Sequence, residues 1–449
     1  MYEIELLTRA RCREIFARVQ RANRADEVEA WVMAGRSALT RFANNIIHQN
    51  VEEESVALSV RAVVGRRTAR ATTNRLDEES ILRVAAGAES MARVQAEDPE
   101  ALPVADPADW LGVGRFDGAT AAADPAARAA EVARAVDIAD RHGLTAAGIY
   151  ATGESAEAIL NSRGLFAYHA QTRAEASVTM MVEDSSGWAK SNAVRMAEVD
   201  LAGLAERAAQ KAAASRAPVE LEPGAYTVVL EPAAVLDLLG FLVGDFSATA
   251  VRDQRSFLTG RIGQRLFGEN ITIRDDVFHP GQAGAAFDGE GVPRRPLMMV
   301  ENGVVREVAY SRQAARAAGV EPTGHGFPLP NEMGEAPVNI VIAGGSSPVE
   351  EMIASTERGI LVTRLWYIRE VEPYEKILTG MTRDGTFLIE GGQVRRGIRN
   401  FRFNQSMIEL LNNVEMLGRS VRTSGEEAFE MVVPAMKARG FHFTEVTRF

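Results

Sequence analysis

The sequence predicts an α+β fold in two parts: an N-terminal α+β region, then a β-rich C-terminal domain built as an antiparallel sheet or open barrel with packed helices. Three observations carry this. A helix-plus-three-strand pattern, with period-two alternation in its strands, occurs twice before residue 220. Beyond it, short apolar runs alternate with turn signals. The chain, at 449 residues with 46% hydrophobic and 25% charged, is long enough to bury more than one core.

The first unit opens with the helical "LLTRARCREIFARVQ" (6–20). Strands follow at 27–35, 37–50 and 54–65, with Gly35-Arg36 and "VEEE" (51–54) as turns, and "ARATTNR" (69–75) adds a fourth. Helix 77–95 has Asp77 placed to cap it and acids in its first turn. Residues 96–124, with prolines at 99, 103 and 107, read as a long linker or surface loop. The second unit starts at Asp124-Pro125, by N-cap and N1 chemistry, and Gly143 closes its helix. Strands 145–153, 157–164 and 165–183 and helix 200–216 complete it, although identity between the two copies is too thin to prove duplication. The expected division is 1–220, with sub-parts 1–95 and 125–220 joined by linker 96–124, then 221–449.

The C-terminal half is punctuated by "DGEGVPRR" (288–295), "ENG" (301–303), "RDG" (383–385) and "EGG" (390–392), between runs such as "PLMMV", "GILVTRLWYI" and "TFLI". Serines precede a proline and an acidic first turn in "GGSSPVEEMIAS" (344–355). "SMIELLNNVEMLG" (406–418) opens with Ser406 and Glu409 at capping-box spacing.

A net charge of −11 disfavours a phosphate-backbone binder, because such affinity rests on Lys and Arg. The basic "GRRTAR" (65–70) and "VRRG" (394–397) read as solvated strand faces. Cys12, the single cysteine, excludes a disulfide framework and a zinc ribbon, and reads as a partly buried small residue on a helix. There is neither a signal-peptide core near the N-terminus nor an 18-residue apolar run, so no membrane partner and a cytoplasmic location are expected.

No two of the six histidines fall within five residues of each other, so there is no helical metal motif. "DDVFH" (Asp275, Asp276, His279) is the nearest local cluster, and turn solvation explains its acids more cheaply. There is no nucleophile elbow and no P-loop. "PTGHGFPLPNE" (322–332) holds His325 on a Gly/Pro-rich loop that either lines a cleft or is structural. "VLDLLGFLVGDF" (235–246) follows the strand-like "YTVVLEP", a crossing where enzymes often keep catalytic groups. Its Leu236, Leu239, Leu242 and Val243 can share one packed face.

Several stretches in order resemble the TldD/PmbA family, in which PmbA is also called TldE. They are "TRFANNIIHQN" (40–50), "SFLTGRIGQRLFGENITIRDD" (256–276), "FDGEGVPRRPLMMVENGVV" (287–305), "TGHG" (323–326), "RGILVTRLWY" (358–367) and "TRDGTFLIEGGQV". The resemblance implies a zinc-dependent peptidase acting on unfolded peptides, assembled from a TldD-type and a TldE-type subunit. The TldD type carries HExxxH after the first strand of the C-terminal domain, with a later cysteine completing the metal site. Anchored on "GDF" (244–246), that window falls on residues 235–240, where Val235, Leu236 and Gly240 replace His, Glu and His; the interval 220–278 holds no histidine, and the later cysteine is missing. Val and Leu cannot ligate zinc, and with Leu at 236 the motif's carboxylate that would activate a water is missing.

The chain is therefore expected to be a TldE/PmbA-type, non-catalytic subunit with no cofactor of its own. Zinc is expected only in a TldD-type partner, with a self-dimer when the chain is alone. The alternatives are a self-contained hydrolase using His279 or His325 with nearby acids, and a peptide-binding module without catalysis. Candidate cleft residues are Asp245, His325 and Arg383, and Asp237 and Asp245 are expected to cap or face water.

Overall fold

A computed structural model describes residues 3–447. Helix α1 (Arg9–Ala22), capped by Thr8, leads into strands β1 (Glu27–Ala43), β2 (Ile46–Val64) and β3 (Arg67–Thr73) and helix α2 (Glu78–Val94). A short helix α3 (Gly118–Ala121) precedes α4 (Pro125–His142), β4 (Thr145–Asn161), β5 (Phe166–Met181), β6 (Ser186–Ala193) and α5 (Leu201–Ala214). The six strands form one antiparallel sheet in the order β3-β2-β1-β4-β5-β6, so the two helix-plus-three-strand units meet at β1 and β4. Asp77, Asp124 and Asp200 cap their helices, and Gly143 ends α4 at φ 62°.

Strand lengths differ from expectation. Gly35-Arg36 and "VEEE" lie inside paired strands, and the chain turns at Asn44-Asn45, both at positive φ (51° and 61°), the geometry of a tight hairpin turn. Likewise β4 runs unbroken through the break expected near residue 155, and the polar "SGWAKSNA" forms β6, which period-two reading missed. Residues 96–124 are more than a surface linker. Leu102, Val104 and Ala105 are buried, and Arg115 donates to the carbonyls of Val277 (3.1 Å) and His279 (2.8 Å).

Period-two alternation decides what each sheet face does. Even-numbered Ala30, Val32, Ala156, Ala158 and Ala170 pack on α1 and α2, and Ala146, Ala174, Ala176 and Val178 pack on α4 and α5. All four long helices thus cover one face. Cys12 is fully buried there, and burial pushes its thiol up to about 12, so it is core. On the other face Trp31, Ile159 and Ala167 meet Ala285 and Phe287 of the C-terminal region.

In the C-terminal half, β7 (Gly224–Leu230) and the strands Met436–Val446, Phe401–Ser406, Ile377–Glu390 and Arg358–Glu372 close on one another as a five-stranded barrel. A second sheet runs from Val304–Val305 through Leu297–Glu301, Ile273–Asp275, Ile340–Ile342 and Met431–Val433 to Val421–Thr423. The α+β class with a β-rich C-terminal half is what the sequence predicts. Local signals are partly redirected: "ENG" and "EGG" are turns, but "RDG" lies inside a strand as an irregularity with Asp384 at φ 53°. Pro348, not a serine, precedes helix Val349–Ala354. Ser406 caps a helix of only Met407–Asn412, and Val414–Leu417 is a strand. Arg70, read as solvated, is an ion-pair partner of Glu29 at 2.7 Å. No helix among the described residues is long and apolar enough to cross a membrane.

Candidate functional site

Helix α6 (Pro232–Leu239) starts directly after β7, with Pro232 in its first turn, and continues as a 3₁₀ turn over Gly240–Phe246. Its sequence is apolar almost all round, so it is buried all round. Val235, Leu236, Leu239, Leu242 and Val243 all join the core between barrel and second sheet. At Gly240 the loop 424–429 closes over the helix: a Cβ added there would lie 2.5 Å from Ala428 Cβ. A pocket of about 440 Å³ remains beside it, lined by Gly240, Phe241 and residues 426–429.

The two acids of this segment do not face water, contrary to expectation. Asp237 is fully buried. Its Oδ1 accepts from Glu427 N at 3.1 Å, its Oδ2 has no partner, and burial pushes its carboxyl up to about 7. Asp245 is buried too; it receives Lys376 Nζ and Phe257 N (3.2 Å), and burial drives its carboxyl up against the pull of Lys376. Both side chains lie among packed core residues, so neither has a solvent face.

His325 stands elsewhere, enclosed by its loop and 1% exposed. Its Nδ1 lies 2.9 Å from Thr323 Oγ1 and its Nε2 lies 3.1 Å from Asp275 Oδ1. This Thr-His-Asp string has the order of a nucleophile, base and orienting acid. Yet Thr323 is fully buried, its hydroxyl accepting from Tyr310 N (2.9 Å) and lying 3.3 Å from Tyr310 O. A hydroxyl sealed from solvent and tied to backbone cannot attack a substrate. Asp275 Oδ2 accepts from Val338 N and Asn339 N, and although burial pushes its carboxyl up, His325, Arg294 and these amides outweigh it and hold it below the usual range. The rest of "DDVFH" is committed locally: Asp276 Oδ1 accepts from Phe278 N, and His279 Nδ1 accepts from Gly281 N. No three His, Cys, Asp or Glu side chains among the described residues are grouped to hold one ion.

Arg383 lies in a third place, a cavity of about 570 Å³ between the end of the first sheet and the barrel, beside Arg364 and Asp384. Arg364 pairs with Asp384, whose other oxygen accepts from Ser186 Oγ at 2.5 Å. Asp245, His325 and Arg383 are therefore not brought together.

Sequence reasoning missed the cleft between the first sheet and the C-terminal loops. One chamber of about 350 Å³ is lined by Trp31, Glu157, Gln171, Phe287, Arg294, His325, Phe327 and Phe429, among others. A groove of about 410 Å³ shares Glu157 and Gln171 with it and runs across β2, β1, β4 and β5. The available signal was the odd-numbered polar residues Glu157, His169 and Gln171, set beside the small, apolar even positions Ala156, Ala158 and Ala170.

Residues 223–445 match the PmbA/TldA metallopeptidase C-terminal domain, 98–216 the central domain and 28–92 domain 1 of the same family. The chain is 24% identical over 435 residues to "Metalloprotease PmbA" of Escherichia coli O157:H7, covering 92% of each. It is 24% identical over 295 residues to a "Metalloprotease" of Methanothermobacter thermautotrophicus, covering 61% of this chain and 62% of that one. The crystal structure of TldE from Thermococcus kodakarensis superposes with a TM-score of 0.87 at 21% identity, covering 97% of this chain and 100% of that one, so the fold is shared. With all three of the family's domains matched in order, this chain belongs to the PmbA/TldD metallopeptidase family.

Proposed function

We propose that this chain is the non-catalytic, TldE/PmbA-type subunit of a TldD/TldE zinc metallopeptidase that degrades unfolded peptides. In this reading it shapes the cleft and supplies the partner interface, and the zinc resides in a TldD-type partner. Residues 1–220 and 221–449 act as its two parts, in a cytoplasmic heteromer or a self-dimer when the partner is absent.

One observation carries the reading: the helix on which the resemblance places a zinc motif is a packed apolar helix. The residues present do not fit that metal. Val235 and Leu236 offer no donor atom and are buried against the core, and Gly240 has no room for an imidazole beneath Ala428. The sealed hydroxyl of Thr323 speaks against a self-contained hydrolase built on His325.

The test is zinc content and peptide hydrolysis, measured on the lone chain and on a mixture with a TldD-type partner. Hydrolysis and stoichiometric zinc are expected only in the mixture. Hydrolysis by the zinc-free single chain would overturn the proposal, and peptide capture without cleavage even in the mixture would leave a binding module instead.

A further inference from the structure

Glu157 stands where the chamber and the groove meet, since it lines both. It projects from the middle of β4, directly across from Met33 on β1 and His169 on β5. Its carboxylate has a single hydrogen bond among the described residues, from Trp31 Nε1 to Oε2 at 3.2 Å. Trp31 lies two positions along β1 from Met33, so the indole reaches the carboxylate diagonally across the sheet.

The acids around it are held by partners of their own. Arg294, the cation in the chamber wall, forms no ion pair among the described residues: its Nε donates to Phe287 O at 3.3 Å, its buried Nη1 has no partner, and its charge acts at longer range on Asp275, Asp288 and Glu157. Asp288 is held by the amides of Glu290, Val292 and Gly326. Glu430 pairs with Arg173 at 2.5 Å. Glu157 is left without a cation within salt-bridge distance, and burial pushes its carboxyl up, with the Trp31 N–H and the more distant Arg294 pulling the other way. Beside it His169, nearly fully buried, has an Nε2 with no partner, and burial drives its ring down to about 4, so it adds no positive charge at neutral pH.

We propose that this cleft binds an extended peptide through one cationic side chain, lysine or arginine, whose charge meets Glu157 while its stem lies among the rings of Trp31, Phe327 and Phe429. A charge-assisted hydrogen bond satisfies the carboxylate, and the aromatic faces favour a cation over a neutral group of the same length. The groove gives the backbone a path: its floor is made of small residues, Gly35, Ser55, Ala57 and Ser155. The peptide as ligand is taken from the proposed function; the preference for a cation is independent of it.

The test uses the full chain without any catalytic partner, and unstructured peptides that differ at one central residue: lysine against norleucine, and arginine against citrulline. Titration calorimetry is expected to show the charged member of each pair binding about tenfold tighter. In Glu157→Gln, checked for an unchanged melting temperature, most of the charged member's advantage should vanish, leaving only the small part that the rings supply. Equal affinities within the pairs for the unaltered chain would overturn the inference without need of any variant, as would full discrimination in Glu157→Gln. Failure of hydrolysis in a mixture with a TldD-type partner would sink the subunit role and leave this binding result standing.

Discussion

Gly240 and Ala428 are packed so closely that glycine is the residue the geometry admits: an added Cβ at 240 would sit 2.5 Å from Ala428 Cβ, far inside van der Waals contact. The contact joins the end of α6 to the loop that follows Val421–Thr423, and it fixes what can be grafted there. The triple variant Val235→His, Leu236→Glu, Gly240→His writes into this chain the zinc motif that the family resemblance implies for a TldD-type subunit. It is expected to bind no stoichiometric zinc and to unfold earlier than the unaltered chain, because overpacking of this kind costs about 1–3 kcal/mol and two buried apolar groups become polar. Metal analysis with a thermal melt checks both parts.

Asp237 gives the fold a pH dependence of definite sign. Its folded carboxyl is pushed up to about 7 by burial, with the amides of Glu427 and Glu426 and the charge of Arg364 opposing and Glu427's own charge adding; in the unfolded chain it titrates near the ordinary value of about 3.9. Between those values the native state holds the extra proton, so this group's contribution to stability falls as pH rises from about 4 to about 7 and is level above that. Melting curves from pH 5 to 8.5 should show the unaltered chain losing stability relative to Asp237→Asn over this window. Parallel curves would show that Asp237 is not the group responsible.

Asp245 and Lys376 form a buried pair, with exposed Glu370 sharing the lysine. Lys376→Met leaves the Asp245 carboxylate buried without its cation and is expected to cost about 3–5 kcal/mol in urea unfolding. The double variant Asp245→Asn, Lys376→Met should recover part of that loss, since no uncompensated charge remains. A double variant no better than the single one would place the damage in packing.

Gly187 brings β6 against α5, where an added Cβ would stand 2.2 Å from Ala208 O and 2.5 Å from Ala212 N. Gly187→Ala must push helix and strand apart and is expected to destabilise by about 1–3 kcal/mol. Gly87→Ala, on helix α2 with open space around it, serves as the control and should be neutral or stabilising. Denaturant midpoints of the two variants make the comparison.

Much of the architecture is legible in local signals. The caps Asp77, Asp124 and Ser406, the stop at Gly143 and the "ENG" turn act through a few neighbouring atoms, and each appears where its residues place it. Strand limits were harder to read: Gly35 resembles a turn residue, yet in β1 it is held between β2 and β4, and its small size serves close packing on Ser155 instead. The polar strand β6 carries no alternation to read because one side lies on α5 and the other near the barrel.

The sequence by itself determined the α+β class, the family, and the lack of zinc-ligating residues at 235, 236 and 240, because these rest on residue types and spacings that neighbours along the chain cannot change. Tertiary structure decided the rest. It buried Asp237, Asp245 and His325, which reading along the chain would leave near water, and it drew Trp31, Glu157 and His169 from separate strands to one cleft wall. Burial and charge pairing depend on which surfaces meet, and that is settled by the pairing of β1 with β4 and by the face of the sheet that the helices leave uncovered.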